Sequence, residues 1–171
     1  LANAGIPTLL LDICPGELKE EEKAKGLTLE SPEVRNRFSQ GGLNAAIKAR
    51  PAAFAHKSRA QLITIGNLED DLEKLASGDW VIEVVIERLD IKLSLFKNIA
   101  PHLKPGALLT TNTSGLSVNT MSEGLPEELK SRFFGTHFFN PPRYMHLLEV
   151  IPAKDTAPEI IENFTTFAEK K

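Results

Sequence analysis

The sequence lacks several features that would assign it to a common class of protein. Its only cysteine is Cys14, which excludes an internal disulfide and favours a reducing compartment, so we predict a cytoplasmic location. No apolar run is long enough to span a bilayer and no signal peptide is visible, so we predict no membrane association. The net charge is -3, and this absence of excess positive charge argues against a nucleic-acid partner.

The chain also lacks the glycine-rich fingerprint G-x-G-x-x-G that opens many dinucleotide-binding units. Gly41 and Gly42 do not match that spacing, and no strand pattern precedes them. The length of 171 residues, with 42% hydrophobic and 25% charged residues, is ordinary for a soluble globular domain with its own core. We therefore predict a single domain over residues 1–171.

What the chain does contain is an alternation of strand and helix patterns. Apolar, β-branched stretches predict strands at 6–12, 61–65, 80–86 and 107–111. Helix-start signals and helical spacing predict helices at 31–49, 67–76, 89–99 and 156–171, while residues 1–4 read as a last helical turn that Gly5 ends. The charged run 17–25 is interpreted as a solvated face or a mobile loop. This order predicts an α/β fold, doubly wound, with a mostly parallel sheet and helices on both faces.

Polar side chains follow two of these strands. Asp12 ends the first one, where an acid can accept hydrogen bonds from a ribose diol and repel a 2′-phosphate, which favours NAD over NADP. The alternative is an ordinary loop acid at a strand end. Asn112 and Ser114 follow strand 107–111 at the sheet edge where ligands bind in open α/β folds. Their alternative role is helix capping, by Ser114 or by Ser117.

The most informative stretch is residues 135–150, GTHFFNPPRYMHLLEV. It predicts a strand, a proline turn and a second strand, which can bring His137 and Glu149 together. Histidine accepts and returns a proton near neutral pH, and a neighbouring carboxylate fixes its ring and stabilises its charged form. The alternative is a core histidine bonded to a backbone carbonyl.

These residues, together with NTSGLS at 112–117, resemble the active-site signature of the 3-hydroxyacyl-CoA dehydrogenases. The similarity runs over essentially the whole chain and resembles in particular the dehydrogenase part of multifunctional fatty-acid oxidation proteins. It implies a Rossmann-like domain, NAD as cofactor and an acyl-CoA substrate. The implied reaction is oxidation of (3S)-3-hydroxyacyl-CoA to 3-oxoacyl-CoA in β-oxidation.

The resemblance also implies a role for each matching residue. His137 would accept the proton of the 3-hydroxyl, Glu149 would orient His137, and Ser114 and Asn140 would hydrogen-bond the reacting oxygens or His137. The positions that match cofactor contacts are Asp12, Val84, Glu87, Lys92, Asn112 and Ser114. For Glu87 and Lys92 the alternative is a surface ion pair near a helix start. No metal is implied.

In relatives of this kind the domain has neighbours along the chain. The resemblance places the first strand and its glycine-rich loop before Leu1, so we expect this Rossmann-like domain to be partial. It places a helical domain, which closes over the acyl chain and contributes to dimerisation, after the last residue. We therefore expect weak or no activity from the isolated chain and a possible homodimer in the full-length protein.

Three other interpretations remain open at this point. One is a different β-hydroxyacid dehydrogenase, in which a lysine serves as the key acid or base. A second is a non-catalytic nucleotide-binding or scaffolding domain, because a fold alone does not establish catalysis. A third is a metal site built from His102, His137 and His146, although their spacing matches no usual ligand pattern.

Overall fold

The computed structural model describes residues 1–170 and divides into two compact units, Leu1–Glu73 and a second unit that begins at Lys74. Each unit has its own sheet, with two strands in the first and four in the second. Both sheets are mostly parallel and carry helices, so the predicted α/β, Rossmann-like fold class is confirmed.

The first unit is built on two parallel strands, β1 (Thr8–Asp12) and β2 (Ile63–Asn67). Asp12 and Asn67 are partners in the register, at the carboxyl ends of the two strands. The long helix of this unit packs against both strands. The helices are α1 (Glu20–Ala24), α2 (Pro32–Arg35) and α3 (Arg37–Lys48), with 3-10 helices at Ala2–Ala4, Lys57–Leu62 and Leu72–Ser77. The predicted glycine stop is present, since Gly5 has φ 81° directly after Ala2–Ala4.

The second unit has a four-stranded sheet whose strands follow one another in chain order. The strands are β3 (Trp80–Glu83), β4 (Leu108–Thr111), β5 (Phe133–Phe138) and β6 (Leu148–Pro152). The first three are parallel, and β6 returns antiparallel to β5. The helices are α4 (Leu89–Ile99), α5 (Val118–Glu123), α6 (Glu127–Lys130) and α7 (Pro158–Glu169), with a 3-10 helix at Ala100–His102.

Aromatic side chains form much of the core of the second unit. Phe133 and Phe134 lie next to each other on β5 with no exposed area and point to opposite faces of the sheet. Phe133 meets Phe96 of α4 edge-on at 5.4 Å between ring centroids, and Phe134 meets Phe164 of α7 at 4.9 Å. Burying each such ring stabilises the fold by about 1.5–3 kcal/mol. These contacts hold α4 and α7 on the two faces of the sheet and so fix the strand that carries His137.

Gly135 lets β5 pack closely against its neighbours. A Cβ atom at this position would lie 3.0 Å from Cβ of Ile151 on β6 and 3.2 Å from Cγ2 of Val118 on α5. Any side chain would therefore have to displace one of them. The glycine keeps β6 and the start of α5 close to β5.

Two predicted elements are shorter in the structure, and hydrogen bonds of side chains explain both. The strand predicted to run to residue 86 ends at Glu83, because the Glu83 carboxylate accepts a hydrogen bond from the Val85 N–H at 2.6 Å and turns the chain. The helix predicted over 31–49 breaks at Asn36, which separates α2 from α3. The Asn36 side-chain oxygen accepts instead from Asn67 Nδ2 at 2.9 Å.

Other predicted boundaries also shift. Residues 67–76 do not form one helix, because Asn67 Oδ1 accepts from the N–H groups of Glu69 and Asp70, and a 3-10 helix starts only at residue 72. The charged run 17–25 contains the short exposed helix α1. The final helix ends at Glu169, and its predicted end at residue 171 lies outside the described residues. Within residues 1–170, no helix combines the length and the apolar character needed to cross a membrane.

Candidate active site

His137 and Glu149 face each other across the antiparallel pair β5 and β6. They are direct partners in the register, so their side chains leave the same face of the sheet side by side. The distance from His137 Nδ1 to Glu149 Oε2 is 2.7 Å. The His137 side chain is 19% exposed and that of Glu149 48% exposed, so the pair is open to solvent on one side. The structure thus brings together the two residues that the sequence predicted to meet.

The environment of the His137 ring determines which nitrogen carries the proton. An ionised carboxylate can only accept a hydrogen bond, so Nδ1 must donate to Glu149. In the neutral ring Nε2 then keeps a lone pair, and Ser114 Oγ lies 3.2 Å from it as a hydroxyl donor. The basic atom of the site is therefore Nε2. The Phe139 ring, 4.7 Å away between centroids, covers one part of the imidazole.

The loop 112–117 carries Ser114 from the end of β4 to the start of α5. Asn112 binds both neighbouring strands: its N–H donates to the Glu83 carbonyl at 2.8 Å, and its side-chain oxygen accepts from Phe138 N–H at 2.8 Å. Ser117 caps α5 by accepting from Thr120 N–H at 3.3 Å, as one of the alternatives predicted. The contacts of Asn112 are structural here, and its predicted cofactor contact stays a prediction.

The carboxylate of Glu87 accepts hydrogen bonds from the same loop. Its Oε1 atom accepts hydrogen bonds from the Thr113 hydroxyl and from the N–H groups of Ser114 and Gly115, both at 3.0 Å. Desolvation disfavours the charge on Glu87, but these hydrogen bonds and the nearby Lys92 outweigh it and lower the pKa of Glu87 to about 2. Glu87 is therefore ionised throughout the physiological pH range. All the acceptor capacity of its Oε1 atom is taken up by hydrogen bonds within the protein.

Lys92 lies inside the second unit with no exposed side-chain area. Its Nζ donates to both carboxylate oxygens of Glu83, at 2.7 and 2.9 Å, and to the Val85 carbonyl at 3.3 Å. Glu87 Oε2 is a further 3.4 Å ion-pair partner. The ammonium of Lys92 is thus fully covered and bound within the protein, and its predicted contact with the cofactor stays a prediction. Lys92 does pair with Glu87, as the alternative had it, but only the Glu87 side of this pair is exposed.

Glu83 is the residue of this cluster that sequence reasoning missed. It is buried with a fully covered side chain and accepts from Lys92, from Val85 N–H and from the Thr111 hydroxyl at 2.5 Å. A charged residue inside the apolar run WVIEVVI was the available signal, because an acid within a buried strand needs a buried partner.

The remaining predicted site residues are Val84, Asn140 and Asp12. Val84 directly follows β3 and is 66% exposed. Asn140 is exposed beyond the end of β5 and has no hydrogen bond to His137 or Ser114 in the described part of the chain. In the first unit, Asp12 is exposed at the end of β1, and its Oδ1 accepts from the adjacent Ile13 N–H at 2.8 Å. The roles assigned to these three residues stay predictions.

The described residues offer no site for a metal ion. Among residues 1–170, no group of three or more His, Cys, Asp or Glu side chains could hold one. His137 instead uses Nδ1 for Glu149 and Nε2 for Ser114. What the arrangement can do chemically is accept a proton at Nε2 while Glu149 stabilises the resulting positive charge.

Comparison with known proteins gives a consistent result. Residues 1–171 match the family model described as 3-hydroxyacyl-CoA dehydrogenase, NAD binding domain. The chain is 50% identical over 169 residues to a probable 3-hydroxyacyl-CoA dehydrogenase of Bacillus subtilis, which covers 99% of this chain and 21% of that protein. It is 47% identical over 169 residues to a probable 3-hydroxyacyl-CoA dehydrogenase of Deinococcus radiodurans, which covers 99% of this chain and 45% of that protein.

A solved structure shows the same fold. The crystal structure of 3-hydroxybutyryl-CoA dehydrogenase from Escherichia coli K12 superposes with a TM-score of 0.67 at 28% identity, covering 98% of this chain and 32% of that one. The chain thus spans between about a fifth and about half of the length of these relatives.

Proposed function

The chain belongs to the family of NAD-binding domains of 3-hydroxyacyl-CoA dehydrogenases, and from this we propose that it supplies the cofactor-binding and proton-accepting part of such an enzyme. The proposed reaction oxidises (3S)-3-hydroxyacyl-CoA to 3-oxoacyl-CoA, as a step of fatty-acid β-oxidation. The observation that carries the proposal is the His137 ring, held by Glu149 at 2.7 Å on one nitrogen and hydrogen-bonded by Ser114 at 3.2 Å on the other.

The residues present fit the cofactor of this family. Asp12 is exposed at the end of a parallel strand and has acceptor capacity beyond its bond to Ile13 N–H, which suits a ribose diol and disfavours a 2′-phosphate. Val84 offers an exposed apolar surface directly after β3, which suits the flat face of an aromatic ring. When bound, NAD accepts a hydride, which no protein side chain can do.

The proton leaves the substrate through His137. In the proposed mechanism, Nε2 accepts the proton of the 3-hydroxyl as the C3–H bond gives up its hydride and the C3–O bond becomes a carbonyl. Glu149 keeps the proton on Nδ1, so that the lone pair faces the substrate, and it stabilises the imidazolium that forms. The Ser114 hydroxyl, which binds Nε2 in this structure, would bind the substrate oxygen once that oxygen takes its place, and Asn140 would bind the same oxygen.

The test is a comparison of the wild type with His137→Gln in the natural full-length polypeptide. The assay measures the consumption of NADH at saturating acetoacetyl-CoA. In the other direction it measures the formation of NADH from (3S)-3-hydroxybutyryl-CoA. We expect kcat to fall by about 10²-fold to 10⁴-fold, because glutamine cannot accept the proton. KM for NADH should change by no more than about threefold, because Nε2 acts on the substrate hydroxyl.

His102→Gln provides the matched control. His102 lies in the 3-10 helix Ala100–His102, and we expect this variant to keep wild-type kcat. A His137→Gln variant that turns over substrate at a near wild-type rate would refute the role of His137. Complete inactivity of the wild type towards both substrates, with NADH still bound, would favour a non-catalytic nucleotide-binding domain or another β-hydroxyacid dehydrogenase.

A further inference from the structure

The buried charges of the second unit are not used by the proposed chemistry. Glu83 and Lys92 have fully covered side chains and contact neither His137 nor Glu149. A buried ion pair of this kind is weak evidence for stability, because taking two charges out of water costs about as much as their attraction returns. The presence of the charged Glu83 in an otherwise apolar strand therefore needs another explanation.

The contacts of this cluster lead towards the candidate active site. Glu83 is bound by Lys92 and by the Thr111 hydroxyl at the end of β4. Lys92 also pairs with Glu87 Oε2 at 3.4 Å, which leaves Glu87 Oε1 facing the loop 112–117. That oxygen accepts from three donors of the loop, and the middle one of these residues is Ser114.

We propose that Glu87, held by Lys92 and Glu83, is a positioning residue that fixes the loop 112–117 and thereby sets the hydrogen bond between Ser114 Oγ and His137 Nε2. Glu87 binds the Ser114 backbone and not its hydroxyl, so the side chain stays available for the ring. The consequence for proton transfer rests on the proposed function, whereas the positioning itself does not.

The distribution of charge supports this role. Two carboxylates share one buried ammonium, so the ion pair alone leaves an excess negative charge on the Glu87 side. The polarised N–H groups of Ser114 and Gly115 and the Thr113 hydroxyl are the groups that compensate it. The loop is thus attracted to a fixed anion, which specifies its conformation more sharply than packing would, since Ser114 and Gly115 are exposed.

The test uses nitrogen NMR of the His137 ring in this chain, with Glu87→Gln as the main variant. Glutamine keeps the size of the side chain but removes the charge that holds the loop. We expect the Nε2 resonance of His137 to move towards its position in Ser114→Ala, while the Nδ1 resonance, set by Glu149, keeps its position. In a Ser114→Ala background, Glu87→Gln should have no further effect on Nε2, because the hydrogen bond through which it acts is gone.

Hydrogen exchange supplies a second measurement on the same samples. The Ser114 and Gly115 amides should exchange at least about tenfold faster in Glu87→Gln, because they lose their charged acceptor. The matched control is Asp90→Asn, which removes an exposed carboxylate three residues away that pairs with Arg88 at 2.6 Å. It should leave both the ring resonances and the two amides unchanged.

A second variant covers the case in which Glu87→Gln does not fold. Thr113→Val removes one donor to Glu87, together with the acceptor of the Leu116 N–H, while leaving every charge in place, and it should move His137 Nε2 in the same direction. An unchanged Nε2 resonance with unchanged amide exchange, in either folded variant, would overturn the proposal. Loss of dehydrogenase activity plays no part in this readout, so the positioning role and the proposed function can fail separately.

Discussion

Two acids near the carboxyl ends of parallel strands differ in the number of hydrogen bonds that they accept within this molecule. Asp12 in the first unit follows β1, is exposed, and accepts a hydrogen bond from its own neighbour Ile13. Glu87 in the second unit lies shortly after β3 and accepts from three donors of one loop while it pairs with a buried lysine. The family resemblance implied the same role for both residues, as cofactor contacts.

The difference between them is the number of lone pairs left for a ligand. A carboxylate has about four acceptor sites, and a ligand can use only those that the protein leaves open. Asp12 keeps most of its sites, whereas Glu87 has committed one oxygen to the loop and directs the other at Lys92. A strand-end acid is therefore a candidate ligand contact only after its internal donors have been counted.

The largest expected effect on stability comes from Lys92→Met, which removes the buried partner of Glu83 and Glu87. Methionine fills a similar volume but leaves the fully covered Glu83 carboxylate without a cation, so the free energy of unfolding should fall by about 3–5 kcal/mol. Urea denaturation followed by circular dichroism measures this loss. Lys104→Met, which removes a surface pair with Asp79, should cost less than about 1 kcal/mol. Equal losses in the two variants would mean that the buried pair contributes no more to stability than the surface pair.

A smaller effect should appear when Glu87→Gln is compared with the wild type across pH. The folded pKa of Glu87 is lowered from 4.5 to about 2, so its ionised form stabilises the fold above about pH 4.5, and this contribution is lost as the pH falls through 2. The variant lacks that contribution at every pH. With allowance for solvent at this part-exposed group, the two proteins should differ by about 1 kcal/mol near neutrality and converge in acid. A difference that stays constant with pH would contradict this account.

The smallest effect on stability should come from Asp12→Asn. Because the side chain has no distant partner, the free energy of unfolding should change by less than about 0.5 kcal/mol. NADH binding, measured by calorimetry on the full-length polypeptide, should weaken relative to NADPH binding, since the charge that repels a 2′-phosphate is gone. A large loss of stability would show that Asp12, like Glu87, serves the fold.

The geometry of the His137–Glu149 pair could be predicted from the sequence because it depends on local rules. Two prolines force a turn after β5, and β-branched and aromatic residues on both sides give strands, so His137 and Glu149 face each other once the hairpin forms. The parallel order of β3, β4 and β5 follows in the same way from alternating strand and helix patterns.

The buried cluster could not be predicted in the same way, because its contacts depend on how a helix packs on the sheet and not on a turn between two paired strands. The family resemblance implied a cofactor contact for Lys92, with a surface ion pair as the alternative, and only the packing of α4 on the sheet places its ammonium beside Glu83. Strand β3 ends early for a related reason, since Glu83 captures the Val85 N–H that the strand pattern would have used. Side-chain competition for backbone groups is invisible to periodicity.

The position of Trp80 gives the chain an intrinsic optical reporter. It is the only tryptophan in the sequence, and its ring lies 5.0 Å from Phe164 and 6.3 Å from Phe167 of α7, and 6.5 Å from Phe138 of β5. Its indole N–H donates to Thr110 Oγ1 at 2.8 Å, which fixes the ring against the sheet. Fluorescence from this protein therefore follows the docking of the last helix onto the sheet, and a variant that loosens only the loop 112–117 should leave the emission spectrum unchanged.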